Sequence, residues 1–284
     1  MTSARKAGKG VILIIMLGLA ACGKSRIVDE RPVVPTTLAI KFEHTVDSLP
    51  FFTDTLLYIN SSGDRFLVTD LQYFISRLTL HRDDGHDFTV GGDQGIHYID
   101  EKLPLSKLWV LDQDIPSGTF DSVSFTFGLN EQDNISFIFP DPPERDMNWP
   151  VILGGGYHYM KMNLLWKKDS MDRTNPFNFH LGIGQIYKGG VINPDSITSY
   201  VQNFFTVCPA NSGFSLQQGK VAVMTIRMNI NRWFSGNNNF DFASYKNTMM
   251  QNQDAMNKAC LNGRGAFSIR FSLQPVNTDV NANE

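Results

Sequence analysis

Cysteine is scarce. The 284 residues hold three, at positions 22, 208 and 260, too few for a disulfide-built scaffold or a four-thiolate zinc site. Basic residues do not outnumber acidic ones: 25 Lys and Arg stand against 28 Asp and Glu, a formal charge of −3. That leaves no phosphate-neutralising surface, and nucleic acid is not an expected partner. Continuous apolar sequence is confined to one run, Val11 to Leu19, so the chain is not a polytopic membrane protein. Nucleophile elbow, HExxH pair, Walker lysine loop and clustered CxxC are all missing, and the expectation is that the protein is not an enzyme. Gly154-Gly155-Gly156 and Gly182-Ile183-Gly184 lack the strand-to-helix setting of a nucleotide site and read as turns. Asp83, Asp84 and Asp87 surround Gly85 without the DxDxDG spacing of a calcium loop, so they read as a hairpin tip. Apolar side chains, by contrast, are plentiful: 42% of residues are hydrophobic and 12% aromatic, enough for a globular core.

The apolar run belongs to the N-terminus. Arg5, Lys6 and Lys9 precede it, and at nine residues it is too short to span a bilayer. It reads as a signal peptide over 1–21. Leu19-Ala20-Ala21-Cys22 follows and resembles the bacterial lipobox, in which the Cys is acylated and becomes the first mature residue. The expectation is a lipoprotein held in the cell envelope by Cys22, on the outer membrane because Gly23 follows the Cys. Residues 22–37 are polar, carry Pro32 and Pro35, and read as a flexible tether. Cys208 and Cys260 remain as an even pair, either a disulfide or two buried free thiols.

From residue 38 to 275 the pattern alternates with period two, the mark of half-buried strands. Leu38, Ile40, Phe42 and His44 share one face. So do Val123, Phe125, Phe127 and Leu129; Phe177, Phe179 and Leu181; and Phe267, Ile269, Phe271 and Leu273. Segments 71–80, 157–166 and 221–230 read the same way, although Thr69 could equally cap a short helix at 69–75. One amphipathic helix is predicted late, over 243–261, ended by Asn262-Gly263. With no linker between 38 and 275, these elements predict an all-β chain: one two-sheet β-sandwich-like domain with one late α-helix, then a tail at 276–284.

A few side chains carry chemistry. His44 lies on an apolar strand face, where an imidazole is either a satisfied core residue or a ligand aimed into a pocket. His180 lies on the polar face of its strand, beside Gly182, and is freer to reach a ligand. His158, Met160 and Met162 share a predicted face with Leu164 and Trp166. Imidazole and thioether suit Cu(I), but a Met stripe on a strand is also how cores fill gaps. Trp149 sits in irregular, Pro-rich sequence just before the glycine run, as an exposed anchor, a lid, an oxidisable ring or a cover on the core edge. His81, His86 and His97 lie near turns and are expected at the surface.

The order of several segments resembles the MbnP-like copper-binding protein family of bacterial envelopes. The pieces are Phe42-x-His44, LYINSSGDRFLVTDLQYFISRLTL at 57–80, IPSGTFDSVSFTFGLN at 115–130 and MNWPVILGGGYHYMKMNLLW at 147–166. FNFHLG at 177–182, IRMNINRWFSGNNNFDF at 226–242 and NGRGAFSI at 262–269 complete them. The resemblance implies a β-sandwich-like envelope protein that binds copper for acquisition or handling. In some relatives a Trp is oxidised to kynurenine with the help of a dihaem partner of the MauG type, and joins His ligands at Cu(I). Carried onto this chain, the resemblance makes His44 and His180 the metal ligands and places Trp149 in the recurrent tryptophan segment. His158 and Met160 stand beside them as further candidate donors. Two departures from the family pattern are visible. None of Trp109, Trp149, Trp166 and Trp233 has a His two residues later, and the acidic position near the end of the 157–166 strand is replaced by Asn163 or Leu164. The alternative reading is a metal-free binding or scaffold module for a glycan, peptide or outer-membrane partner. A further rival, a hydrolase, would need carboxylates assembled from distant strands.

Overall fold

Alternating side chains bury one face of each main strand, and the two apolar faces close on each other. The structure, a computed structural model, describes residues 37–275 except 93, 112, 113 and 219. Cys22, the signal segment, the tether up to residue 36 and the tail from 276 lie outside the described residues. One sheet is built on β1 (Thr37–Val46). β1 runs parallel to β8 (Lys220–Asn229), which pairs antiparallel with β9 (Phe267–Pro275). Two short segments share the free edge of β1: β3 (Leu108–Val110) pairs at 39–41 and Leu49–Pro50 at 45–46.

The second sheet is antiparallel. Its spine is the long β2 (Arg65–His81), flanked by β5 (Met160–Lys167) and β4 (Ser122–Phe127). β6 (Asn175–Leu181) lies outside β5, and β7 (Phe205–Val207) lies outside β4. Aromatic side chains fill the space between the sheets. The Phe267 ring of β9 lies 5.2 Å from Phe125 and 5.6 Å from Phe127, and Trp233 lies 4.9 Å from Phe127. Each such fully buried ring contributes up to about 3 kcal/mol relative to exposure. The all-β sandwich read from the periodicity is the fold observed.

The segment at 69–75 is strand throughout, and the Asp83-Asp84-Gly85 tip does turn a hairpin between β2 and Phe88–Thr89. The late helix is shorter than predicted. It runs Gln253–Gly263, with the Asn252 side chain accepting from the Ala255 N–H as its cap. Phe242–Tyr245 forms a separate 3-10 turn. Between them, Lys246, Asn247 and Gln251 take positive φ, a conformation that no helix can carry through. Met249 therefore precedes the helix and packs in the core rather than on the helical face shared by Met256 and Ala259.

Two breaks in alternation decide what faces outward. On β2, Asp70 registers with Asn163 and Val68 with Leu164, so Thr69 is an extra residue. Thr69 and Asp70 both stand on the outer face. On the opposite strand, the Tyr159 N–H donates to the Leu181 carbonyl while Met160 also registers with Leu181. Two residues again oppose one, the signature of a β-bulge. Tyr159 and Met160 are both fully buried, and His158 is turned to the opposite face.

Candidate metal centre

His44 answers the core reading. It is 8% exposed. Its Nδ1 lies 2.5 Å from Glu101 Oε2, and its Nε2 lies 3.0 Å from the Tyr73 hydroxyl. Lys107 Nζ holds the other Glu101 oxygen at 2.8 Å. Burial pushes the Tyr73 phenol well above its ordinary pKa, so it remains a neutral hydroxyl. The group underlies a cavity of about 650 Å³ at the free edge of β1, walled by Phe42, Phe51 and Pro104 and rimmed by Lys41 and Arg227. Both imidazole nitrogens are engaged, and neither is left for a metal.

His44 and His180 do not meet. Tyr73 points inward, toward His44, and is buried between the sheets. Its neighbour Gln72 registers with Lys161, which registers with His180. That row lies on the other face of the same sheet, so the sheet separates the two histidines. The pair expected from the sequence is corrected here. The cause is topological: both strands alternate as predicted, but they present those positions to opposite sides of one layer.

What His180 does meet is His158. Their ring centroids are 5.2 Å apart and nearly perpendicular, at 86°. Trp149 lies edge-on to His158 at 4.6 Å. Trp149 is 2% exposed, so of the roles open to it the structure gives a cover, not an exposed anchor. It lies against Gly182, where a Cβ would come within 2.6 Å of the indole ring; only glycine lets the ring lie so close. The loop carrying it is pinned by several bonds. The Trp149 N–H donates to the Gly156 carbonyl, the His158 N–H to the Met147 carbonyl, and the Tyr157 N–H to Asn134 Oδ1. Gly156 has φ of +79° and packs where a Cβ would strike the Asn134 side chain. Asn134 is held in turn by the loop that Arg77 clamps through Asp133, at 2.8 and 3.1 Å.

The tautomers of both imidazoles follow from their partners. His158 Nδ1 lies 3.0 Å from the Met147 carbonyl, which only accepts, so Nδ1 carries the proton and Nε2 keeps its lone pair. His180 Nε2 lies 2.7 Å from Asn163 Oδ1. The Asn163 amide NH₂ faces Asp70 Oδ2 at 3.2 Å, so Oδ1 is the atom turned to His180 and Nε2 carries the proton. His180 Nδ1 is then a bare lone pair, buried and without a hydrogen-bond partner. Asn148 Oδ1 and Trp149 Nε1, from the same loop, are likewise buried without partners.

Both rings are neutral at physiological pH. Burial lowers the His158 pKa to about 4, against a weaker upward pull from the Met147 carbonyl. Burial, then the His158 ring and Lys161, lower that of His180 to about 3. A buried imidazole that resists protonation is the form in which histidine binds metals. Among the described residues, no group of three or more His, Cys, Asp or Glu side chains gathers in a metal-holding cluster. Two neutral imidazoles without a carboxylate do not suit calcium or magnesium, which take oxygen ligands. They suit a softer cation of low coordination number, Cu(I) first. The indole Nε1–H of Trp149 is a donor and offers no lone pair.

The remaining candidates are placed elsewhere. Met160 is fully buried, paired with Leu181 and Tyr73 on the inner face. It belongs to the core, and the face it was predicted to share with His158 is split by the bulge. Cys208 is exposed, Cys260 is partly buried, and both are free thiols; the disulfide alternative is not formed. His97, expected at the surface, is stacked between Trp109 at 4.6 Å and Phe42 at 5.2 Å. Asn163, noted in the sequence only as a departure from the family pattern, is paired here with Asp70, a residue the sequence did not single out; their alignment depends on strand register.

With this geometry in hand, comparison with known proteins adds the following. A family model described as MbnP matches residues 35–252, a span that contains every residue of the centre. Among solved structures, MbnP from Methylosinus trichosporium is similar at 13% identity and a TM-score of 0.41, covering 66% of this chain and 75% of that one. A likeness of that degree carries no argument about the site. A search of curated proteins found no match.

Proposed function

The chain belongs to the MbnP family, and from that premise we propose that it binds copper, as Cu(I), for acquisition or handling in the bacterial envelope. His158 Nε2 and His180 Nδ1 are the donors, and Trp149 shields them. The observation that carries this reading is the meeting of two neutral imidazoles, one of which, His180, holds a buried and unpartnered lone pair at Nδ1. An orphaned buried acceptor costs about 1–3 kcal/mol, and a bound soft cation would relieve it. Lys161 disfavours added positive charge at both rings, so a singly charged cation fits better than a doubly charged one. The copper is cargo, and no turnover is required of it.

The same proposal places the protein on a membrane through an acylated Cys22, with residues 22–37 as the tether. The dihaem partner of the family would act on Trp149, the tryptophan in ring contact with a centre histidine.

The test is Cu(I) titration against a chromophoric chelator, with native mass spectrometry for stoichiometry. The wild-type chain is expected to bind one copper, and His158→Ala/His180→Ala to lose at least about a hundredfold in affinity. Equal binding by the double variant, or no copper on the wild type, would overturn the reading.

A further inference from the structure

The outer face of the second sheet carries a hydrogen-bonded row behind the centre, and its polarity is fixed from the far end. Lys102 Nζ donates to Asp70 Oδ1 at 2.7 Å. Thr69 Oγ1 and Asn163 Nδ2 reach Asp70 Oδ2 at 3.0 and 3.2 Å. Asn163 Oδ1 then meets His180 Nε2 at 2.7 Å. Burial alone would raise the Asp70 carboxyl, but the hydrogen bonds from Lys102, Asn163 and Thr69 outweigh it and hold its pKa below the ordinary value. The bulge at Thr69 is what sets Asp70 across from Asn163, in keeping with the habit of bulges to re-aim side chains beside functional sites.

We propose that Asp70, acting through the orientation of the Asn163 amide, is a positioning residue that decides which nitrogen of His180 keeps its lone pair. The inference deepens the copper-binding proposal and rests on it for the identity of the ligand, but the proton arrangement is a property of the protein alone. An amide is two-sided: it accepts at Oδ1 and donates at Nδ2. A carboxylate only accepts, so Asn163 must turn its NH₂ to Asp70 and its oxygen to His180. The proton is thereby held on Nε2, and Nδ1 is left bare, buried and without a partner. Outer partners of this kind fix ligand tautomers in metal sites.

The logic makes a substitution with a definite direction available. In Asp70→Asn, Lys102 still claims the side-chain oxygen at position 70. The new amide NH₂ then faces Asn163, which must turn its own oxygen toward it and its NH₂ toward His180. His180 Nε2 becomes an acceptor, and its proton moves to Nδ1. Adding Asn163→Asp restores an acceptor-only group beside His180 and returns the proton to Nε2.

Long-range ¹H–¹⁵N correlation spectra of the ¹⁵N-labelled, metal-free protein read the tautomer directly at neutral pH. Wild type is expected to show His180 protonated at Nε2, D70N at Nδ1, and D70N/N163D at Nε2 again. If D70N does not fold, Asn163→Leu, which removes the Nε2 acceptor, is expected to show both tautomers. A His180 tautomer unchanged in D70N, or in N163L where D70N does not fold, would overturn the proposal. Cu(I) affinity is measured on the same samples and is expected to fall about 10–100-fold in D70N and recover in the double variant. If the tautomer inverts while wild type holds no copper, the relay stands and the copper reading falls.

Discussion

The two centre histidines should make the metal-free protein unusually sensitive to mild acid. In the unfolded chain each imidazole titrates near its ordinary value of about 6.5. In the fold, His158 waits until about pH 4 and His180 until about pH 3; His97, also buried, waits until about 4. The folded pKa values are lowered, so the stability these groups hold is fully present above about pH 6.5 and drains away as pH falls toward the folded values. At pH 5, protonation stabilises each unfolded-state imidazole by about 2 kcal/mol, while the folded rings gain roughly 0.1 or less. Three such groups cost the fold about 6 kcal/mol between pH 8 and 5, a large share of the 5–15 kcal/mol that holds a typical domain. Paired carboxylates add little in this window because they titrate lower.

Urea unfolding at pH 8 and pH 5, on wild type and on His158→Gln/His180→Gln, isolates the effect. The double variant should lose about 4 kcal/mol of that pH dependence, leaving the part due to His97. An equal pH dependence in the two proteins, within about 1 kcal/mol, would refute the claim that the centre is built from neutral, desolvated rings.

Two further outcomes follow from the geometry. His44→Ala should leave Cu(I) affinity within about twofold of wild type while costing about 2–4 kcal/mol in urea unfolding, because Glu101 and Tyr73 lose their shared partner; a large loss of copper affinity would return His44 to the site. Gly182→Val should drive the Trp149 indole out of its seat, seen as a red shift in tryptophan emission and roughly a tenfold weaker copper site, and unchanged emission would contradict the placement of Trp149.

The strands were legible because their signal is local. Leu38 to His44 and Val123 to Leu129 alternate without interruption, and each buries the side expected. The late helix was overextended because apolar spacing continues through Met249, while of the positive-φ residues that break it only Asn247 is of a type that favours that conformation. The centre was half legible. His180 and Trp149 stood out by position and His158 was a further candidate, but it was placed on one face with Met160, since an extra residue at Tyr159 reverses the phase without altering composition. Pairing His44 with His180 failed for a different reason: alternation says which side of its own strand a residue takes, not which side of which sheet. Asp70 and Asn163, 93 residues apart, become partners through register alone.

The glycine at 182 gives the centre a gatekeeper that acts by having no side chain at all. Any methyl group there would collide with the indole, so mutational drift at this one position would extinguish the proposed copper binding while the sandwich interior, on the reverse of the layer, went on folding undisturbed. On the copper-binding proposal, paralogues of this chain that keep every core phenylalanine yet carry a larger residue at 182 would be retired binders, identifiable by that substitution before any copper is added.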